Sequence, residues 1–120
     1  MFPAQRPRRL RTSAAMRRMV AETTVRPSQL VLPMFVKEGA TEPVPIETMP
    51  GVVQHTRDSL RNAAVEAVQA GVGGLMLFGV PEHKDAVGSG GVDPNGVLNV
   101  ALRDLRSELG DETVLMSDLC

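Results

Sequence analysis

With 120 residues, of which 42% are hydrophobic, the chain has material for one domain at most, and its formal net charge of −1 exerts no global pull toward nucleic acid or a membrane surface. A single cysteine excludes an internal disulfide framework and fits a reducing compartment. No apolar run approaches the roughly 20 residues of a membrane helix, and the amino terminus lacks the apolar middle section of a secretory signal. The expectation is therefore a cytoplasmic protein with no membrane partner.

The first 22 residues are the compositional outlier. Arg6, Arg8, Arg9, Arg11, Arg17 and Arg18 all precede the first acidic residue, Glu22. Such a stretch suits an organelle transit peptide, a basic arm for nucleic acid, or an extended arm lying on a partner subunit. Pro3 and Pro7 break any early helix, and no aromatic residue interleaves the arginines for base stacking. The partner-binding arm is the preferred reading, over residues 1–28, with no nucleic-acid partner; residues 29–120 form the domain proper.

The run Leu30–Val36 reads as a first strand, closed by Lys37, Glu38 and Gly39. Pro33 within it cannot donate to a ladder, so pairing there should be one-sided or bulged. Between Ala40 and His55, Pro43, Pro45, Pro50 and Gly51 forbid a long helix and imply an ordered, turning excursion, with Met49-Pro50-Gly51-Val52 as a turn signal. Thr56 then caps a helix in which Leu60, Ala63, Ala64, Ala67 and Val68 recur at helical spacing, Asp58 lies in the first turn and Gly71 is the stop.

The helix feeds Leu75–Val80, a run with no polar side chain and no alternation, as expected of a parallel strand covered on both faces. Pro81 ends it, and a polar loop begins at Glu82-His83-Lys84-Asp85. A second helix is predicted with Asp93 as cap and Pro94 as first residue, its apolar stripe running through Leu98, Ala101, Leu102, Leu105 and Leu109 to Gly110. The run Thr113–Met116 is a third strand, followed by Ser117, Asp118, Leu119 and Cys120. Strand, helix, strand, helix, strand with right-handed crossovers places three parallel strands in one sheet. This is the opening of either a flavodoxin-like sheet, which would need five strands where only three are found, or a (β/α)8 barrel, which needs roughly 250 residues; on either, the chain reads as cut short after its third strand.

Several spaced segments occur in a fixed order: Arg6-Pro7-Arg8-Arg9-Leu10-Arg11; Leu30–Val36 with Lys37-Glu38-Gly39; Met49-Pro50-Gly51-Val52; Leu77-Phe78-Gly79-Val80-Pro81 with Lys84-Asp85 and Gly88; Asp93-Pro94-Asn95-Gly96; and Ser117-Asp118-Leu119-Cys120. In this order they resemble the amino-terminal third of the porphobilinogen synthase (5-aminolaevulinate dehydratase) family. The resemblance implies a TIM-barrel lyase that condenses two molecules of 5-aminolaevulinate into porphobilinogen with loss of two waters, in tetrapyrrole and haem biosynthesis. It also implies an arm that wraps a neighbouring barrel, usually within a homooctamer, and two Schiff-base lysines beyond position 120.

At the family's site positions the resemblance gives Asp118 a part in binding the substrate ammonium or moving a proton; the plain alternative is a cap for the next helix, and the motif favours function. Cys120 matches the first cysteine of the family's metal segment, where thiolates hold zinc; members that replace those cysteines with aspartates use magnesium. On its own Cys120 is as readily an ordinary buried cysteine. Phe78 is expected in the substrate pocket, although a phenylalanine in an apolar strand is more often core. Gly79 departs from the proline common in the family at that place. His83 and Lys84 are a tempting catalytic pair, but Lys84 stands beside Glu82 and Asp85 in a polar loop, and the family's reactive lysines are elsewhere. Gly88-Ser89-Gly90-Gly91 lacks the Gly-Lys-Ser/Thr ending of a nucleotide loop and reads as a mobile lip of the site. The competing possibility from another class is a self-sufficient, non-catalytic α/β binding module with a basic docking arm.

Overall fold

The computed structural model describes residue 4 and residues 8–119; Arg6 and Cys120 lie outside the described residues. The elements are helix α1 (Ala14–Met19), strands β1 (Val31–Lys37), β2 (Val44–Pro45) and β3 (Val53–His55), helix α2 (Arg57–Gln69), strand β4 (Gly74–Val80), helices α3 (Ser89–Val92) and α4 (Val97–Leu109), and strand β5 (Val114–Ser117). No helix among the described residues is long and apolar enough to cross a membrane.

The sheet has five strands in the order β2-β3-β1-β4-β5, where the sequence pattern indicated three. The expected three are there, parallel and in the expected order: β1 pairs with β4 along all seven residues from Val31↔Gly74 to Lys37↔Val80, and β4 pairs with β5 from Gly74↔Val114 to Leu77↔Ser117. The two additional strands come from the excursion, where β3 runs parallel to the end of β1 and β2 returns antiparallel to β3. They are only two and three residues long, and Pro43 and Pro45 hide their periodicity. Their turn is the one the sequence signalled: Val52 N–H donates to Met49 O at 3.0 Å and Gly51 has φ 84°, which is the type II geometry that places proline second and glycine third.

Pro33 sits where its missing N–H is harmless. Gly74 N–H donates to Leu30 O and Glu38 N–H donates to Val80 O. In a parallel ladder both bonding groups of a residue face the same neighbour and alternate along the chain. Leu30, Leu32, Met34, Val36 and Glu38 therefore face β4, and Pro33 faces the other edge, where β3 reaches only Phe35 and Val36. The pairing is one-sided there, without a bulge.

Both long helices start and stop for local reasons. Thr56 Oγ1 accepts from Ser59 N–H at 3.1 Å while Ser59 Oγ accepts from Thr56 N–H at 3.0 Å, a reciprocal cap of α2. The start of α4 differs from expectation: Gly96, not Asp93, is its cap. Asp93 is spent on a turn, its carboxylate accepting from Asn95 N–H at 2.8 Å, and the Asn99 side chain donates back to Asp93 O at 2.7 Å. Two ion pairs, Arg57–Asp104 at 2.8 Å and Arg61–Glu108 at 2.7 Å, tie α2 to α4. The hydrogen bond from Arg61 to Glu108, and then the Glu108 charge, raise the Arg61 pKa.

The core lies between the sheet and these two helices. Met34, Val36, Leu75 and Leu77 point from the strands into it, against Leu60, Ala64 and Ala67 of α2 and Ala101, Leu105 and Leu109 of α4. Gly79 belongs to this packing as well, because a Cβ there would stand 2.8 Å from Leu98 Cβ, so glycine lets the start of α4 approach the strand. Coverage on both faces of β4, the reading drawn from its continuous apolar run, holds for one face only. Met76, Phe78 and Val80 on the other face are half-buried, and Val31 and Val114 beside them are exposed.

The amino-terminal segment departs from a purely extended arm, forming a turn at Arg9–Arg11 and then α1, capped by Ser13 Oγ accepting from Met16 N–H. It nonetheless stands off the domain, with Leu10, Met19 and Val25 exposed. The radius of gyration is 20.6 Å, against about 14 Å for a compact chain of this length.

Helix α2 also carries a pH-dependent contact. His55 Nδ1 lies 3.0 Å from Ser59 Oγ, and partial burial lowers the His55 pKa below its ordinary 6.5. The unfolded chain then binds the proton more readily than the folded one. The stabilisation is complete above pH 6.5 and is lost as pH falls below that value through the folded pKa. Because the ring is only half-buried, solvent screens it and the loss should be small. Melting temperatures measured from pH 7.5 to pH 5 should decline more steeply in the parent than in His55→Gln; identical slopes would show that His55 contributes nothing to it.

Candidate functional site

In a parallel sheet every strand delivers its last residues to the same end, and here that end collects the ionisable groups. Lys37 and Glu38 finish β1, Pro81 and Glu82 follow β4, and Asp118 follows β5. The ends are stitched together by backbone: Glu38 N–H donates to Val80 O at 2.9 Å, Asp118 N–H donates to Leu77 O at 3.0 Å, and Glu82 N–H donates to Glu38 Oε2 at 2.9 Å.

Strand alternation decides which side chains share the face away from the helices. With Met34, Val36, Leu75 and Leu77 committed to the core, Phe35, Lys37, Met76, Phe78, Val80 and Met116 take the opposite face. The rings of Phe35 and Phe78 stack there, with centroids 5.2 Å apart and planes at 26°. Since Leu77 pairs with Ser117 and the ladder continues one residue further at Asp118 N–H, Asp118 lies level with Phe78. Asp118 is half-buried. Two of the residues singled out from sequence, Phe78 and Asp118, are thus neighbours on one face, and Phe78 is not in the helix-covered core.

Cys120 is outside the described residues. Among those that are described, no three His, Cys, Asp or Glu side chains converge in a way that would hold a metal. The described residues therefore do not make a zinc or magnesium site by themselves.

His83 and Lys84 are exposed in the loop after β4. That loop is clipped by Asp85, whose carboxylate accepts from Ser89 N–H at 2.9 Å and Val87 N–H at 3.2 Å; the Ser89 side chain, then these backbone groups, lower its pKa. A cleft of about 320 Å3 lies between Pro81, His83, Asp85 and Ser89. The Gly88–Gly91 stretch holds no nucleotide-type loop: Gly88 takes φ 65° and a single helical turn, α3, follows.

Sequence reasoning missed three members of the open face. Phe35 was visible only as strand apolarity, although its spacing from Pro33 and Lys37 puts all three on one side. Lys37 was read as the polar end of the strand, yet it is half-buried; of the clefts it lines, one of about 500 Å3 opens toward Thr56, Asp58 and Val97 at the starts of α2 and α4, and one of about 290 Å3 is shared with Glu38, Glu42 and Glu82. Gln54 arrives opposite Phe35 through β3, a strand with no sequence signal.

The fold and this strand-end face define a β/α-barrel type of enzyme scaffold, in which chemistry is kept at the carboxyl ends of the strands. The family model for delta-aminolevulinic acid dehydratase matches residues 4–120, and the chain belongs to that family. It is 68% identical over 121 residues to the delta-aminolevulinic acid dehydratase of Mycobacterium tuberculosis strain H37Rv and 66% identical to that of Streptomyces coelicolor, in each case over 99% of this chain and 37% of the relative. A crystal structure of the Toxoplasma gondii ME49 enzyme in complex with the reaction product porphobilinogen superposes with a TM-score of 0.84 at 32% identity, over 95% of this chain and 32% of that one. The chain thus spans a little over a third of the length of the curated relatives it matches.

Proposed function

We propose that these residues form part of a porphobilinogen synthase, condensing two molecules of 5-aminolaevulinate with loss of two waters in the cytoplasm, at a site built on the open face of the sheet. The observation that carries this reading is the 68% identity along 99% of the chain to a delta-aminolevulinic acid dehydratase, supported by the structural likeness to a relative that binds porphobilinogen.

In this reading Phe78, stacked on Phe35, forms an apolar wall of the substrate pocket, and Asp118 binds the substrate ammonium or accepts a proton from it. The Schiff-base amines are supplied from sequence other than residues 1–120. Cys120 contributes one thiolate to a zinc site completed by other residues, with magnesium as the alternative metal; a bound metal would supply Lewis-acid polarisation of substrate. Residues 1–28 form the arm that holds a neighbouring subunit in a homooctamer. Arg8, Arg9, Arg11, Arg17 and Arg18 support this, since none has an acidic partner within 4 Å among the described residues.

The test is an assay of a protein of the relatives' length that includes residues 1–120, supplied with 5-aminolaevulinate and either zinc or magnesium. Pyrrole formation is expected, with none from residues 1–120 alone. Absence of pyrrole with both metals would overturn the reading.

A further inference from the structure

Resting on that reading, we infer that the loop after β4, residues 82–96, is a fixed rim of the substrate site and not a lip that closes over it, and that Asn99 is the residue that positions it. In a β/α barrel the segments that follow the strands surround the site, and this one begins just past Pro81, at the end of the strand that carries Phe78. Gly88, Gly90, Gly91 and Gly96 give it a sequence that reads as mobile.

The structure holds this loop by both kinds of backbone group. Carboxylates take its N–H groups at three places: Glu82 N–H donates to Glu38 at 2.9 Å, Ser89 and Val87 N–H donate to Asp85 at 2.9 and 3.2 Å, and Asn95 N–H donates to Asp93 at 2.8 Å. These are charge-assisted bonds, the stronger kind. Helix α4 takes its carbonyls. Asn99 Nδ2 donates to Gly91 O at 3.1 Å and to Asp93 O at 2.7 Å, and one turn further on Arg103 donates to Pro94 O. The main chain closes the turns between, with Gly91 N–H donating to Gly88 O, Asp93 N–H to Ser89 O and Gly96 N–H to Asp93 O. A Cβ at Gly96 would collide with Gly90 O, so the loop packs directly on the start of α4.

The Asp85 and Asp93 carboxylates lie within the loop and set its shape, whereas Glu38, Asn99 and Arg103 lie outside it and set its place. Of those three, Glu38 and Arg103 are exposed and Asn99 is half-buried, so water competes least for the Asn99 bonds. Asn99 also stands in the first turn of a helix anchored in the core through Ala101 and Leu105. A rim held this way spares the substrate the cost of ordering a glycine-rich loop. Releasing it lowers the fraction of protein ready to bind, which raises KM in proportion and leaves the saturated rate alone.

The experiment uses the protein of the relatives' length and compares the parent with Asn99→Asp. The substitution keeps the size of the side chain, and an acidic residue in the first turn suits a helix, but both donors to the loop are lost. Asn99→Asp should raise the KM for 5-aminolaevulinate about tenfold with kcat within about threefold. Amide hydrogen exchange over residues 82–96 should be about tenfold faster than in the parent. The ligand for the exchange measurements is 4-oxopentanoate, which lacks the amine and cannot condense. Saturating 4-oxopentanoate should change exchange over residues 82–96 of the parent by less than about threefold. A larger gain in protection would show that the loop closes and would overturn the inference. So would an unchanged KM, a kcat lowered beyond threefold, or unchanged exchange in the variant. Should Asn99→Asp not fold, Asn99→Ala is read by the same criteria. Failure of the parent to make pyrrole would count against the condensation itself, while exchange in the free parent and variant still reports on Asn99.

Discussion

Replacing Asp118 with asparagine should lower the turnover of 5-aminolaevulinate by a factor of about 100 or more while leaving the protein folded, which is the scale of a lost proton-transfer group. The substitution keeps the size of the side chain and removes its charge and basicity. It leaves the backbone untouched, including the Asp118 N–H that donates to Leu77 O and extends the ladder. Steady-state kinetics on a protein of the relatives' length, with circular dichroism and assembly size as controls, separate the outcomes. Turnover at the parent rate would remove Asp118 from the site. A folded variant with a raised KM and an unshifted pH profile would assign it to ammonium binding rather than proton transfer, and an unfolded one would favour the helix-cap role.

The largest effect on stability is expected at Leu77. Its side chain is completely buried at the centre of the sheet, on the strand flanked by β1 and β5, and it points into the core shared with α2 and α4. Leu77→Ala removes the buried methyl groups and leaves a cavity that the ladders on both sides prevent from collapsing. The loss should be about 3–5 kcal/mol, out of the 5–15 kcal/mol typical of a whole protein. Val114, also on a strand but 60% exposed on the open face, provides the control, and Val114→Ala should stay within about 0.5 kcal/mol. Urea midpoints at unchanged slope would measure both. Equal shifts for the two would mean that the helix-covered face is not the dominant core.

Local signals carried most of the architecture. The three long strands, both 13-residue helices, the Thr56 cap and the type II turn at Met49–Val52 were legible because each rests on interactions within a few residues: side-chain periodicity, a hydroxyl within reach of a free N–H, a glycine where φ must be positive. The start of α4 was misplaced by three residues for a related reason. Asp93-Pro94 is a good helix opening, but its carboxylate found Asn95 N–H first and closed a turn instead.

The sequence by itself determined the family, through the order of several short motifs, and it determined the candidates Phe78 and Asp118. It could not show that β4 has one open face, because a continuous apolar run looks the same whether one side or both are covered by helices. Nor could it reveal β2 and β3, since strands of two and three residues have no period to read and exist only because the edge of β1 offers them partners. The same limit applied to Lys37. Its place beside Phe35 is a matter of strand parity, but its half-burial, and its position across β4 from Asp118, depend on which strands lie side by side, and that is decided by long-range pairing and not by neighbours in the chain.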